Sequence, residues 1–135
     1  MKPPHIRCLP SALTPLADKF YRAQRSPMRT KQANQVWVAE SDEIVGALCL
    51  RAVADGFWLT SLLVAATRRN QGIASHLLDR ALAEVDAPVW LFCAPALAEF
   101  YTRLHFAPAA DLPVELAERL SRYQRTKSLI ALRYR

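Results

Sequence analysis

Apolar positions along the chain change their period several times, and each change marks an element. From Leu62 the chain runs apolar over a stretch too short to be a convincing helix, the end of a strand read over 57–64. A basic, polar stretch follows. Ile73, Leu77, Leu78, Ala81 and Leu82 then recur at helical spacing and fall on one face. The pattern predicts strand, basic loop and helix, with the helix running to Val85, where Asp86-Ala87-Pro88 breaks it. Upstream, residues 5–9 alternate and predict a first strand. Thr14-Pro15 reads as an N-cap with proline at the first helical position, opening a helix over 14–25 with Leu16, Phe20 and Tyr21 turned inward. Ser26-Pro27 ends it. Residues 28–35 are open between a short helix and a loop.

Residues 35–40 and 44–53 predict a hairpin around Ser41-Asp42-Glu43. Asp55-Gly56 is a second turn signal, leading into the 57–64 strand. Val89-Trp90-Leu91-Phe92-Cys93 is almost wholly apolar, as a strand covered on both faces would be. Pro95 opens a helix over 96–104, left at His105-Phe106. A helix over 114–123 and a strand over 128–134 complete the order β-α-βββ-α-β-α-β-(α)-β. Antiparallel strands followed by helix–strand crossovers predict an α/β chain with a mixed sheet and helices on both faces. At 135 residues, one domain spanning 1–135 is expected.

Composition changes this picture little. Cys8, Cys49 and Cys93 sit in apolar runs, which reads as reduced-thiol usage and points to a cytoplasmic location. Neither a signal peptide from Met1 onward nor an apolar run of membrane length is visible. The net charge of +6 suits coenzyme or nucleic acid alike. The basic residues are spread, so a nucleic-acid partner is not expected despite Arg119, Arg122, Arg125 and Lys127.

The chemistry concentrates in the loop. A helix that starts near Gly72 points unpartnered amides, and the positive end of its dipole, out of its N-terminus. Gly72 and Ala74 keep those amides bare, and Arg68 and Arg69 add charge. The design cradles a phosphate or pyrophosphate. It is not a Walker loop, which needs Gly-Lys-Ser/Thr. It is not a dinucleotide fingerprint, which would use all three glycines of the chain.

What remains, Arg69-x-x-Gly72-x-Ala74, resembles the coenzyme A loop of the GNAT acetyltransferase superfamily. Phe100-Tyr101-Thr102-Arg103-Leu104-His105-Phe106 is similar to the family's Phe-Tyr-x-x-Leu-Gly-Phe signature and follows at the expected distance. The resemblance covers residues 35–106. It implies a GNAT-like fold with splayed central strands, 57–64 and 89–93, and acetyl-CoA as cosubstrate with no metal. In this chain, Leu62, Leu63 and Val64 would pair with the pantetheine arm through their backbone. Arg69, Asn70, Gln71, Gly72, Ile73, Ala74 and Ser75 would hold the pyrophosphate. Tyr101 would protonate the leaving thiolate. An amine acceptor would attack the acetyl carbon directly.

The chain also departs from the family. The strand that often carries a glutamate base has no carboxylate here, which leaves Glu40, Glu99, a water chain or no base at all. Ala94 replaces a frequent asparagine. His105 stands where glycine would most easily take a positive φ. The basic connection (Lys19, Arg22, Arg25, Arg29 and Lys31 against Asp18) points to an amine acceptor that also carries an anionic group, with Arg22 and Arg25 on one helix face. A homodimer is compatible with this reading. The alternatives are a non-catalytic acyl-CoA sensor or a basic nucleic-acid-binding module on the same fold.

Overall fold

The apolar runs become strands and the 3.6-period stretches become helices with little shift of register. A computed structural model describes residues 3–135; the N-terminal reading that began at Met1 and Lys2 lies outside the described residues. The strands are β1 (His5–Cys8), β2 (Gln35–Glu40), β3 (Ile44–Val53), β4 (Gly56–Val64), β5 (Val89–Cys93), β6 (Ala107–Pro108) and β7 (Ile130–Tyr134). The helices are α1 (Thr14–Ala23), α2 (Ile73–Ala83), α3 (Ala98–Thr102) and α4 (Val114–Tyr123). The strands form one mixed sheet in the order β1-β2-β3-β4-β5-β7-β6. Among the described residues no helix is long and apolar enough to cross a membrane.

The chain divides into two compact units. The first comprises Met1–Arg51 and Thr60–Asp86, the second Ala52–Leu59 and Ala87–Arg135. In the first, β1 pairs antiparallel with β2, and β2 with β3 from Gln35↔Leu50 to Glu40↔Ile44. The five residues expected on one face of α2 are all buried. Burying each of the four larger side chains, Ile73, Leu77, Leu78 and Leu82, stabilises by roughly 1.5–3 kcal/mol, which explains why an 11-residue helix holds its place. Gly46 on β3 faces the start of this helix; a Cβ there would sit 3.3 Å from Ile73 Cγ2.

In α1 the buried stripe is Ala17, Phe20 and Tyr21, spaced i, i+3, i+4. Leu16 falls outside that stripe and is exposed, against expectation. Thr14 is the first helical residue rather than the cap, and its hydroxyl donates back to Ser11 O. The helix stops at Ala23, two residues short of the expected end, because Arg25 turns left-handed at φ 57°. Residues 26–34 form neither helix nor strand.

In the second unit, β5 pairs antiparallel with β7 over its full length, and β7 also carries β6. The parallel ladder from β4 to β5 consists of Phe57↔Val89 and Trp58↔Trp90. A Cβ on Gly56 would overlap the Pro88 carbonyl, the same carbonyl that accepts from Phe57 N at 2.9 Å. Glycine is required there by close backbone approach. Val53, Trp58, Trp90 and Leu116 form the apolar centre, with Phe92 and Tyr123 packed against it. Helix α3 is shorter than expected, because Pro95–Leu97 tightens into a 3-10 turn before it.

Candidate active site

The phosphate-type loop is built in the first unit. After β4, Ala65 N donates to Val45 O at 2.8 Å, which anchors the chain as it leaves the sheet. Ala66–Arg68 makes a 3-10 turn, Arg69 is extended, and Asn70 is left-handed at φ 63°, a conformation asparagine tolerates. Gly72 then caps α2 at φ 76°, ψ 11°. A Cβ on Gly72 would meet nothing within 4 Å. Glycine is therefore required by its dihedral angle, and the space in front of it is open.

Ile73 is buried, so it offers only its amide. Ala74 and Ser75 are half-buried, and Arg69, Asn70, Gln71 and Gly72 are exposed. No side chain caps the helix. The Arg69 Nε–H donates to Val64 O at 3.4 Å, and the Arg68 Nε–H donates to Gln71 Oε1 at 3.1 Å. Among the described residues neither arginine meets a carboxylate. A groove of about 370 Å³ opens along Pro4, Arg68, Gln71, Gly72 and His76. Bare amides, a helix dipole and two unneutralised cations suit a diphosphate.

Just before the loop, β4 contains a feature the sequence did not announce. Ser61 is left-handed at φ 59° in mid-strand. Such a conformation costs a non-glycine residue of the order of 1–3 kcal/mol, and it persists only where the surroundings enforce it. The side chain that meets it is Tyr21 of α1. Its ring is fully buried, and its hydroxyl donates to Ser61 O at 2.6 Å while lying 3.8 Å from Cys49 Sγ. Burial pushes the Tyr21 phenol far up, so it stays a donor, and burial lifts the Cys49 thiol to about 11. Leu62, Leu63 and Val64, the expected arm-pairing residues, follow directly and are half-buried.

Tyr101 belongs to the second unit. It lies on α3, buried between Phe100 and Phe106, with ring centroids 5.0 and 5.6 Å away. Burial, and then the nearby Cys93, pushes it up to about 12; burial also raises Cys93. Among the described residues the Tyr101 hydroxyl has no hydrogen-bond partner. His105 sits at φ 72°, the left-handed exit expected where the family motif has glycine.

The chain matches the acetyltransferase (GNAT) domain family over residues 32–108, a span that holds the loop, the Ser61 break and Tyr101. It belongs to the GNAT acetyltransferase family. Solved structures share the fold. A GNAT family N-acetyltransferase (YhbS) from Escherichia coli, in complex with CoA, is 19% identical at TM-score 0.73, covering 100% of this chain and 82% of that one. An acyl-CoA N-acyltransferase from Pseudomonas aeruginosa is 18% identical at TM-score 0.66, covering 97% and 99%. N-acetylglutamate synthase from Neisseria gonorrhoeae, complexed with coenzyme A and L-arginine, is 16% identical at TM-score 0.69, covering 100% of this chain and 34% of that one. At these identities the likeness is one of fold. No curated protein sequence matches significantly.

Within this GNAT chain the two candidate bases are committed elsewhere. Arg7 donates to Glu40 at 3.2 Å and Arg103 to Glu99 at 2.8 Å, the latter pair well exposed. Among the described residues no group of three or more His, Cys, Asp or Glu could hold a metal ion. The basic connection is arranged differently from the expectation. Arg25 lies beyond α1 and does not share a helix face with Arg22. Instead Arg22, Arg29 and Lys31 line a groove of about 470 Å³ with Asp18, whose carboxylate accepts from Thr30 N and Oγ1 at 2.8 Å each.

Proposed function

We propose that the chain transfers an acetyl group from acetyl-CoA directly to an amine that also carries an anionic group. The observation that carries this reading is the opening of α2: a left-handed glycine, uncapped amides and open space beside two arginines that, among the described residues, meet no carboxylate. The amides of residues 69–74 and the Arg69 guanidinium hold the diphosphate of the coenzyme, with Ser75 adding its hydroxyl. The backbone of Leu62, Leu63 and Val64 takes the pantetheine arm, and one of these amides donates to the thioester oxygen. Such a donor acts most strongly as charge grows on that oxygen. The amine attacks the acetyl carbon, the C–N bond forms and the C–S bond breaks, the sulfur leaves as thiolate, and the proton lost by the new amide nitrogen passes to water.

Tyr101 is assigned to that sulfur on its motif and on a hydroxyl that has no hydrogen-bond partner among the described residues. A phenol near 12 stays protonated through the neutral range, so it serves the sulfur as a hydrogen-bond donor as the bond breaks. With no carboxylate on β4, the amine enters in its neutral form and catalysis is mainly positioning. Arg22, Arg29 and Lys31 supply the field that favours an anionic acceptor.

A second reading, acyl-CoA binding without turnover, draws support from Glu40 and Glu99 both being paired to arginines. An acetylation screen over amino acids, phosphorylated amines, polyamines and aromatic amines decides between them. Turnover with an anionic amine supports the proposal. Tight acetyl-CoA binding with no product from any amine leaves a sensor. Weak or absent acetyl-CoA binding removes both.

A further inference from the structure

The hydroxyl of Tyr21 is a buried side-chain group that meets a strained backbone unit next to the proposed thioester site. It donates to Ser61 O at 2.6 Å, from a ring that is 0% exposed. Ser61 O and the Leu62 N–H belong to one planar trans peptide, so they point in opposite directions. Fixing the carbonyl toward α1 therefore fixes the Leu62 N–H away from it. A hydrogen bond to a peptide carbonyl also polarises that peptide and strengthens its N–H as a donor.

We infer that Tyr21 is a positioning residue for acyl transfer: through the Ser61 carbonyl it aims the Leu62 amide at the thioester oxygen and strengthens its donation. The inference rests on the proposed acetyl-CoA reading of residues 62–64. Tyr21 lies outside the segment that matches the family, 32–108, and touches no substrate in this assignment. The left-handed Ser61 then has a purpose. A regular strand would turn the same peptide back into the ladder, and the hydroxyl of Tyr21 holds it rotated.

The test reads the bond being aimed. Acetyl-CoA isotopically labelled at the thioester carbonyl is bound to the protein, and the carbonyl stretch is followed by difference infrared spectroscopy. In the parent it should lie below that of free acetyl-CoA. Tyr21→Phe keeps the ring and removes the hydroxyl. It should return the stretch most of the way to the free value and lower kcat about ten- to a hundredfold, with the KM for acetyl-CoA unchanged. Cys49→Ala removes the other neighbour of the hydroxyl, 3.8 Å away, and should leave the stretch as in the parent. Difluorotyrosine at position 21, a stronger donor of nearly the same size, should push the stretch further down, and it tests the idea even if Tyr21→Phe folds poorly. A parent-like stretch in Tyr21→Phe, an equal loss in Cys49→Ala, or no response to difluorotyrosine overturns the role of Tyr21 while leaving the acetyl-CoA reading intact. A parent that does not bind acetyl-CoA overturns both.

Discussion

Replacing Gly72 by alanine and by asparagine separates the two things a glycine does at the start of α2. At φ 76° an L-residue with a Cβ pays a conformational cost of about 1–2 kcal/mol. Nothing lies within 4 Å of that Cβ, so no steric cost is added. Gly72→Ala should therefore fold and melt roughly 3–8 °C lower. Asparagine tolerates the left-handed region and should recover most of that stability. For the ligand the order differs. Either side chain projects into the open space where the diphosphate is placed, and the larger one intrudes more. Losing one charged hydrogen bond is worth about 1.5–3 kcal/mol, or roughly 10- to 150-fold in Kd. Calorimetry with acetyl-CoA should rank affinity as parent, then Ala, then Asn, with Gly72→Glu abolishing binding. Differential scanning calorimetry should rank stability as parent, then Asn, then Ala. An asparagine variant that binds acetyl-CoA as tightly as the parent would refute the loop assignment, whatever its melting temperature.

Three further outcomes are expected. Tyr101→Phe should lower kcat by roughly ten- to a thousandfold with little change in acetyl-CoA affinity. Because the folded state raises this phenol, the stability it adds is present below its ordinary value of 10 and is lost as pH rises through about 12; an alkaline limb of kcat assigned to Tyr101 belongs near 12, and one near 10 that vanishes in Tyr101→Phe would contradict its burial. Gly56→Ala forces a Cβ onto the Pro88 carbonyl and should cost about 1–3 kcal/mol or more in denaturant titration, whereas Gly46→Ala, whose nearest neighbour is the Ile73 Cγ2 methyl at 3.3 Å, should cost less; equal losses would argue against the backbone contact. Arg22→Gln with Arg29→Gln should raise the KM of a carboxylate-bearing amine about two- to tenfold, since exposed charges contribute modestly, and should leave acetyl-CoA affinity alone; unchanged kinetics would make the groove a solvated face.

Periodicity made α2 legible, because five apolar residues on one stripe leave a single way to bury them, and the hairpin strands were legible as apolar runs on either side of the Ser41-Asp42-Glu43 turn, buried along most of their length. The α1 stripe was read one residue off. Leu16 and Phe20 are themselves spaced i, i+4, but the stripe that packs is Ala17, Phe20 and Tyr21, and alanine gives a weak signal. The polar end of α1 carries no periodic mark, so Ser26-Pro27 set only an outer limit and hid the turn at Arg25. The loop glycine was found from chemistry, yet its reason differs: the dihedral angle demands it, with room to spare. Ser61 was invisible. Left-handed positions are read from glycine or asparagine, and here a serine within an apolar run is held by a hydroxyl forty residues upstream. His105 shows the converse, since an unusual residue at a motif glycine could be located by the motif itself.

The strand order β5-β7-β6 has a consequence for synthesis on the ribosome. The last strand of the chain lies between two that are made before it, so Val89–Cys93 and Ala107–Pro108 wait for Ile130–Tyr134 before either gains this partner. The residues of the unit that ends at Asp86 are all made before β5, so that unit can begin to collapse while the remainder is still emerging. During that interval the apolar strand Val-Trp-Leu-Phe-Cys has an open edge, the kind of surface that recruits other chains. The nascent protein should therefore depend most on chaperones between Asp86 and Tyr134, and truncations within the last strand should aggregate rather than merely lose activity.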